Sequence, residues 1–143
     1  MTVSAILRSK GSEVVSVTPG MGLGEVARVL VQHRIGAALV REGDDQPVGI
    51  ISERDIVRVF AREDGQTDRL TAAEAMTRVL YTVTPETPIE RALEMMTDRR
   101  VRHLPVLAEG KLCGMVSIGD LVKARIEAAV GEAAALRDYV AAG

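Results

Sequence analysis

The sequence predicts an α/β fold made of two β-α-β-β-α repeats packed pseudo-symmetrically into one module. Three observations predict it. The first is internal repetition: Val17-Thr-Pro19 recurs as Val83-Thr-Pro85, and Gly49-Ile-Ile-Ser52 recurs as Gly114-Met-Val-Ser117. Thr18 and Thr84 lie 66 positions apart and Gly49 and Gly114 lie 65 apart, so the copies hold register with one slip in the hairpin. The second is a change of period inside each copy, from helical spacing to short apolar strands. The third is length. A chain of 143 residues can bury one sizeable core, whereas a unit of about 60 residues is marginal alone, so the two copies are expected to share theirs.

Each element follows from local pattern. Short strands are expected near Val14–Val17 and Leu80–Val83. Leu23, Val26, Ala27 and Leu30 form an apolar helical stripe, repeated by Ile89, Ala92, Leu93 and Met96. Thr87 as N-cap, Pro88 at the first position and Glu90 closing a capping box mark the start of the second of these helices. Strands follow at Ile35–Val40 and Val48–Ser52, across a polar turn containing Gly43-Asp44-Asp45, and at Val101–Leu107 and Leu112–Ser117, around Glu109-Gly110. Each second strand runs into a helix, Glu53–Arg62 or Ile118 onward. Glu63–Asp68 reads as a polar loop, and Thr71-Ala-Ala-Glu74 as a capping box opening a short helix. The repeats are expected at 1–68 and 69–127, with a C-terminal helical extension at 128–143. Running from the end of the second repeat into that extension, Val122, Ile126, Ala129, Ala133, Leu136 and Val140 form a heptad-like stripe, which suits either packing on its own subunit or a helix-to-helix contact between copies.

Composition narrows the function. Apolar residues make up 47% but aromatics only 2%, so the core must be aliphatic. A net charge of −2 and a pI near 5.7 leave no electrostatic footprint for nucleic acid, and the shortage of aromatics argues against a base-stacking surface. Cys113 is the only cysteine, so no disulfide framework or Cys-rich zinc site is expected. No apolar run approaches a membrane span, and the start lacks a signal-peptide pattern, which makes the cytoplasm the expected location.

The strongest local motif is Ser52-Glu-Arg54-Asp55, echoed by Ser117-Ile-Gly119-Asp120. Ser stands at a strand-to-helix junction and Asp one turn inside the helix. Backbone N–H groups at a helix start favour an anion, a Ser hydroxyl adds a donor, and a carboxylate can accept two hydroxyls, as from a ribose. The same spacing also makes a capping box that does nothing but start a helix. Other features carry less. Gly20-Met-Gly22-Leu-Gly24 lacks the third glycine of a dinucleotide loop, having Glu25 there, and reads as a permissive helix entry. His33 reads as a solvated helix end, Cys113 as a small buried strand residue, and Met95-Met96 as core. Arg99-Arg100-Val-Arg102 is either a solvated corner or a phosphate-attracting rim.

The full ordered pattern resembles the cystathionine-β-synthase (CBS) domain family, as a stand-alone tandem pair or Bateman module. Its parts are Val-Thr-Pro, an amphipathic helix, Arg102-His-Leu-Pro-Val106 and Gly-Met-Val-Ser-x-x-Asp-Leu-Val, given twice over about residues 5–127. The resemblance implies a regulatory sensor of AMP, ADP, ATP, NAD or S-adenosylmethionine that acts on a partner protein, with no catalysis and no catalytic cofactor. It implies one site from Ser52, Arg54, Asp55, Leu80, Tyr81, Arg102 and His103. The other would take Lys10, Val14, Val15, Gly36, Ala37, Ser117, Gly119 and Asp120. Asp would hold ribose and Ser a phosphate. The Arg102-His103 pair predicts more phosphates at the Asp55 site, and Gly36-Ala37 predicts AMP or a dinucleotide at the Asp120 site. A homodimer is expected. The alternative is a protein–protein scaffold with vestigial clefts.

Overall fold

The computed structural model describes residues 1–143 apart from Asp45, Val79 and Gly143. Asp45 of the expected first turn therefore lies outside the described residues. The elements run α1 (Val3–Lys10), β1 (Ser16–Val17), α2 (Leu23–His33), β2 (Ala37–Val40), β3 (Gly49–Ser52) and α3 (Glu53–Arg62). Then come α4 (Ala72–Ala75), α5 (Ile89–Arg99), β4 (His103–Ala108), β5 (Lys111–Ser117) and α6 (Ile118–Ala142). The chain forms two compact units, Glu13–Tyr81 and Met1–Ser12 with Thr82–Gly143.

In the first unit, β1 runs parallel to β2 and β2 antiparallel to β3, with Ala37 opposite Ser52. The apolar stripe of α2 packs Leu23, Val26 and Leu30 on Val17, Ala38, Val40 and Ile51, and Ala72 and Ala75 of α4 join this core. In the second unit, β4 and β5 form an antiparallel hairpin with His103 opposite Ser117 and a register shift between Val106 and Leu107. Its turn residues Glu109 and Gly110 both have positive φ, the geometry that matches strand twist in a tight hairpin. Val3, Ile6, Ile89, Met96, Leu104, Val116 and Leu121 are buried here.

The compact units cut across the repeat boundaries at 68 and 69. Helix α1 opens the first repeat but packs on β5 and α6 of the second, while α4 opens the second repeat but packs on β3 and α3 of the first. Two glycines record this exchange. A Cβ on Gly49 would stand 2.5 Å from Met76 Sδ and 2.9 Å from the Thr77 carbonyl oxygen, and one on Gly114 would stand 2.6 Å from Leu7 Cδ2. Each equivalent strand is glycine where the exchanged segment crosses it.

Several expectations are corrected. The N-cap of α5 is Pro88, with no side-chain cap. The Thr87 hydroxyl instead accepts the Thr84 N–H at 3.0 Å, closing the preceding turn. The expected strand Leu80–Val83 reduces to a parallel bridge between Val83 and Val106, and the strand Val14–Val17 to Ser16–Val17. The helix expected from Ile118 onward is α6, which runs unbroken to Ala142.

Candidate functional site

The Ser-x-x-Asp motif of the first unit is a closed capping box. Ser52 ends β3 and caps α3: its hydroxyl accepts the Asp55 N–H at 3.2 Å, and its own N–H donates to Asp55 Oδ2 at 2.8 Å. The Ser52 hydroxyl also lies 3.0 Å from that oxygen. Asp55 Oδ1 takes Arg58 Nη1 at 3.3 Å and the Thr77 hydroxyl at 3.4 Å. The Asp55 side chain is only 7% exposed, so its lone pairs are largely spent inside the unit.

The second unit repeats the box but leaves it open. The Ser117 N–H donates to Asp120 Oδ2 at 2.9 Å, and the Asp120 N–H donates to the Ser117 hydroxyl at 3.2 Å. Lys10, at the end of α1, places Nζ 2.7 Å from Asp120 Oδ2 and 3.0 Å from the Met115 carbonyl oxygen. Asp120 Oδ1 accepts no hydrogen bond among the described residues, and this side chain is 26% exposed. Burial raises the Asp120 carboxyl, but hydrogen bonds from Lys10 and Ser117 and the Lys10 charge outweigh it and hold the group below its ordinary value. The result is a half-buried carboxylate with one open oxygen and an ammonium at one spot.

Both boxes are seated in the same way. The Glu53 N–H donates to the Gly36 carbonyl at 3.0 Å and the Ile118 N–H to the Arg102 carbonyl at 2.9 Å. Within the first unit the fold thus brings Gly36 and Ala37 to Ser52, with Asp55 beneath. Within the second it brings Arg102 and His103 to Ser117, and Lys10 to Asp120. The grouping implied by resemblance is the crossed one, which draws on both units. Val14, Val15, Leu80 and Tyr81 are half-buried in the first unit, Arg54 is exposed on α3, and Gly119 is exposed on α6. Positive charge is not reserved to the Asp55 set, because Lys10 is on Asp120.

Two contributors escaped sequence reasoning. Arg58 lies one helical turn after Asp55, a spacing that could have pointed to it. Thr77 lies 22 positions away and had no local signal. Among lesser features, Gly22 caps α2 and bridges Thr71, and His33 is an exposed helix end. Cys113 is half-buried rather than buried, with its thiol on the Val106 carbonyl. Burial, aided by the Glu86 charge, raises its pKa and keeps it a thiol. Among the described residues no cluster of His, Cys, Asp and Glu suits a metal ion, and no helix is long and apolar enough to cross a membrane.

Comparison with known proteins agrees with this architecture. The family model for the CBS domain matches residues 3–62 and 72–127. The mitochondrial CBS domain-containing protein CBSX3 of Arabidopsis thaliana is 35% identical, over 99% of this chain and 73% of its own. A crystal structure of a CBS-domain containing protein from Agrobacterium tumefaciens superposes with a TM-score of 0.85 at 38% identity, covering 87% of this chain and 99% of that one. A CBS domain protein from Pyrobaculum aerophilum, solved in complex with AMP, superposes with a TM-score of 0.71 at 30% identity, covering 84% and 89%. With two matched copies, a repeated strand-helix-hairpin-helix unit and a Ser-x-x-Asp box at each second helix, this chain belongs to the CBS domain family, as a tandem pair.

Proposed function

We propose that the chain is a regulatory module that binds an adenosine-containing small molecule (AMP, ADP, ATP or NAD) and acts on a partner protein without catalysing a reaction. The observation that carries this reading is the Asp120 site. An open carboxylate oxygen suits a sugar hydroxyl, and the Lys10 ammonium beside it suits a phosphate. The AMP complex of the Pyrobaculum relative supports the ligand class. Ser52 and Ser117 are engaged as helix caps, which favours binding over nucleophilic chemistry. We assign Asp120 as the principal anchor and Asp55 as the weaker one, since its oxygens are already bonded internally. The resemblance adds Arg102 and His103 to the Asp55 anchor, and Gly36 and Ala37 to the Asp120 anchor. Arg102→Ala tests that part, and unchanged affinity for ATP would remove it. A reducing cytoplasm suits the single thiol.

The test is thermal unfolding with AMP, ADP, ATP, NAD and S-adenosylmethionine. A ligand at about 100 times its dissociation constant adds about 2.7 kcal/mol by mass action, a rise of several degrees for a chain this size. Asp120→Ala should abolish the larger part of that rise. If no panel member shifts the transition at millimolar concentration, the scaffold reading takes its place. One observation favours a docking role beside sensing. An open apolar groove of about 430 Å³ between α2 and α3, lined by Leu30, Val31, Ile35, Ile56 and Val57, offers a surface for a homodimer or a target.

A further inference from the structure

Helix α6 outruns the domain that it belongs to. Leu121 and Ala124 face the core of the second unit and are buried. The family match ends at residue 127, yet the helix continues to Ala142. Along it Val122, Ile126, Ala129, Ala133, Leu136 and Val140 alternate spacings of four and three. At about 100° per residue this stripe lies about 120° round the helix from the buried side. It is bare in the single chain: Ile126 is 58% exposed, Leu136 64% and Val140 67%. A stripe of this spacing fits another helix of the same spacing, and the two alanines at its middle permit close approach.

The flanking charges select the partner and its direction. Glu132 and Arg137 border the stripe on opposite sides. Neither has an oppositely charged residue three or four positions away on its own helix. Neither joins an ion pair among the described residues, whereas Lys123 pairs with Glu127 and Arg125 with Glu90. In a parallel pair of α6 helices, Glu132 of each copy meets the partner's Arg137, on both sides of the two-fold axis. In an antiparallel pair, Glu132 would meet the partner's Glu132, and Lys123 the partner's Arg137, both repulsive. We propose that α6 pairs in parallel with α6 of a second copy of this chain, with Glu132 and Arg137 setting direction and register. The stripe spans under three heptads, so this pair reinforces a dimer rather than forming one by itself. The proposal does not depend on nucleotide binding.

Sedimentation equilibrium of the full chain over a range of concentrations tests it. Arg137→Glu should weaken the dimer about tenfold at low salt, with the effect shrinking as salt is raised. Adding Glu132→Arg to that variant should restore the wild-type constant. Both positions are exposed, so the fold is undisturbed. In a Cys113→Ser background, Leu136→Cys should cross-link between copies on oxidation, because a parallel pair sets these residues side by side, whereas an antiparallel pair separates them by about 15 Å. A dimer tightened by Arg137→Glu overturns the proposal in favour of the antiparallel pair, since the new carboxylate would face the partner's Lys123. A dimer constant unmoved by every variant, without cross-linking, or a chain monomeric at all concentrations, overturns it outright. The nucleotide-driven thermal shift should be the same in all these variants, so failure here leaves the sensing proposal standing.

Discussion

Asp55 and Asp120 occupy the same place in the two repeats under different conditions. Asp55 is buried and holds Ser52, Arg58 and Thr77 together, so Asp55→Ala should cost about 1–3 kcal/mol of stability, read by urea unfolding. Asp120→Ala should cost less stability and more ligand response. The Asp120 carboxyl has a folded pKa below its unfolded one. Its contribution to stability is therefore complete above the ordinary carboxylate value and is lost as pH falls through the lower, folded value. The stability gap between wild type and Asp120→Asn should close over that acidic window, and it should close at higher pH in Lys10→Gln. The boxes themselves were legible, because Ser and Asp three apart meet within one helical turn. Thr77 was not, because a segment distant in sequence brings it to Asp55, and Lys10 was reached only through the family resemblance.

Helix ends and strand crossings carry the repeat's finer grammar. Both α2 and α5 end with an arginine in the left-handed region, Arg34 and Arg100, each at φ 55°. Ile35 N–H reaches the Leu30 carbonyl at 3.0 Å and Val101 N–H the Met96 carbonyl at 3.0 Å, the paired-bond ending that glycine usually serves. Arg34→Gly and Arg100→Gly should each raise stability by about 1 kcal/mol, visible as a higher melting temperature. At the strand crossings, Gly49→Ala meets the Thr77 backbone while Gly114→Ala meets only the flexible end of Leu7. The first should cost more, about 3 kcal/mol against about 1. Element types and the span Glu53–Arg62 were legible from period and capping. The start of α5 was not, because the Thr87 hydroxyl had two possible N–H partners and the turn took it.

At the scale of the molecule, the repeat was plain in the sequence while the exchange of opening helices was hidden. Short amphipathic segments such as Val3–Lys10 and Ala72–Ala75 carry no mark saying which copy of a duplicated strand they cover. The exchange makes the second unit depend on the chain's first residues. Deleting Met1–Lys10 removes Val3 and Ile6 from the core, at about 1.5–3 kcal/mol for each fully buried aliphatic side chain. It also uncovers Gly114. Hydrogen exchange should then accelerate across β4, β5 and the start of α6, while β2 and β3 keep their protection. Equal loss in both units would show that they unfold as one.

The bond from Lys10 to Asp120 spans 110 positions, and this sets an order of events at the ribosome. Residues 13–81 are contiguous and form one compact unit, so their contacts can begin to form while the rest of the chain is still being made. Helix α1 is synthesised well before β5, the strand it covers. Val3, Ile6 and Leu7 must wait unburied until that strand has been made, and the second unit closes only through contacts of high sequence separation, a slow step. Released chains truncated at residue 110 should show a protease-resistant fragment spanning 13–81 with a sensitive N-terminus, and resistance should reach residue 3 only in chains that include β5 and α6.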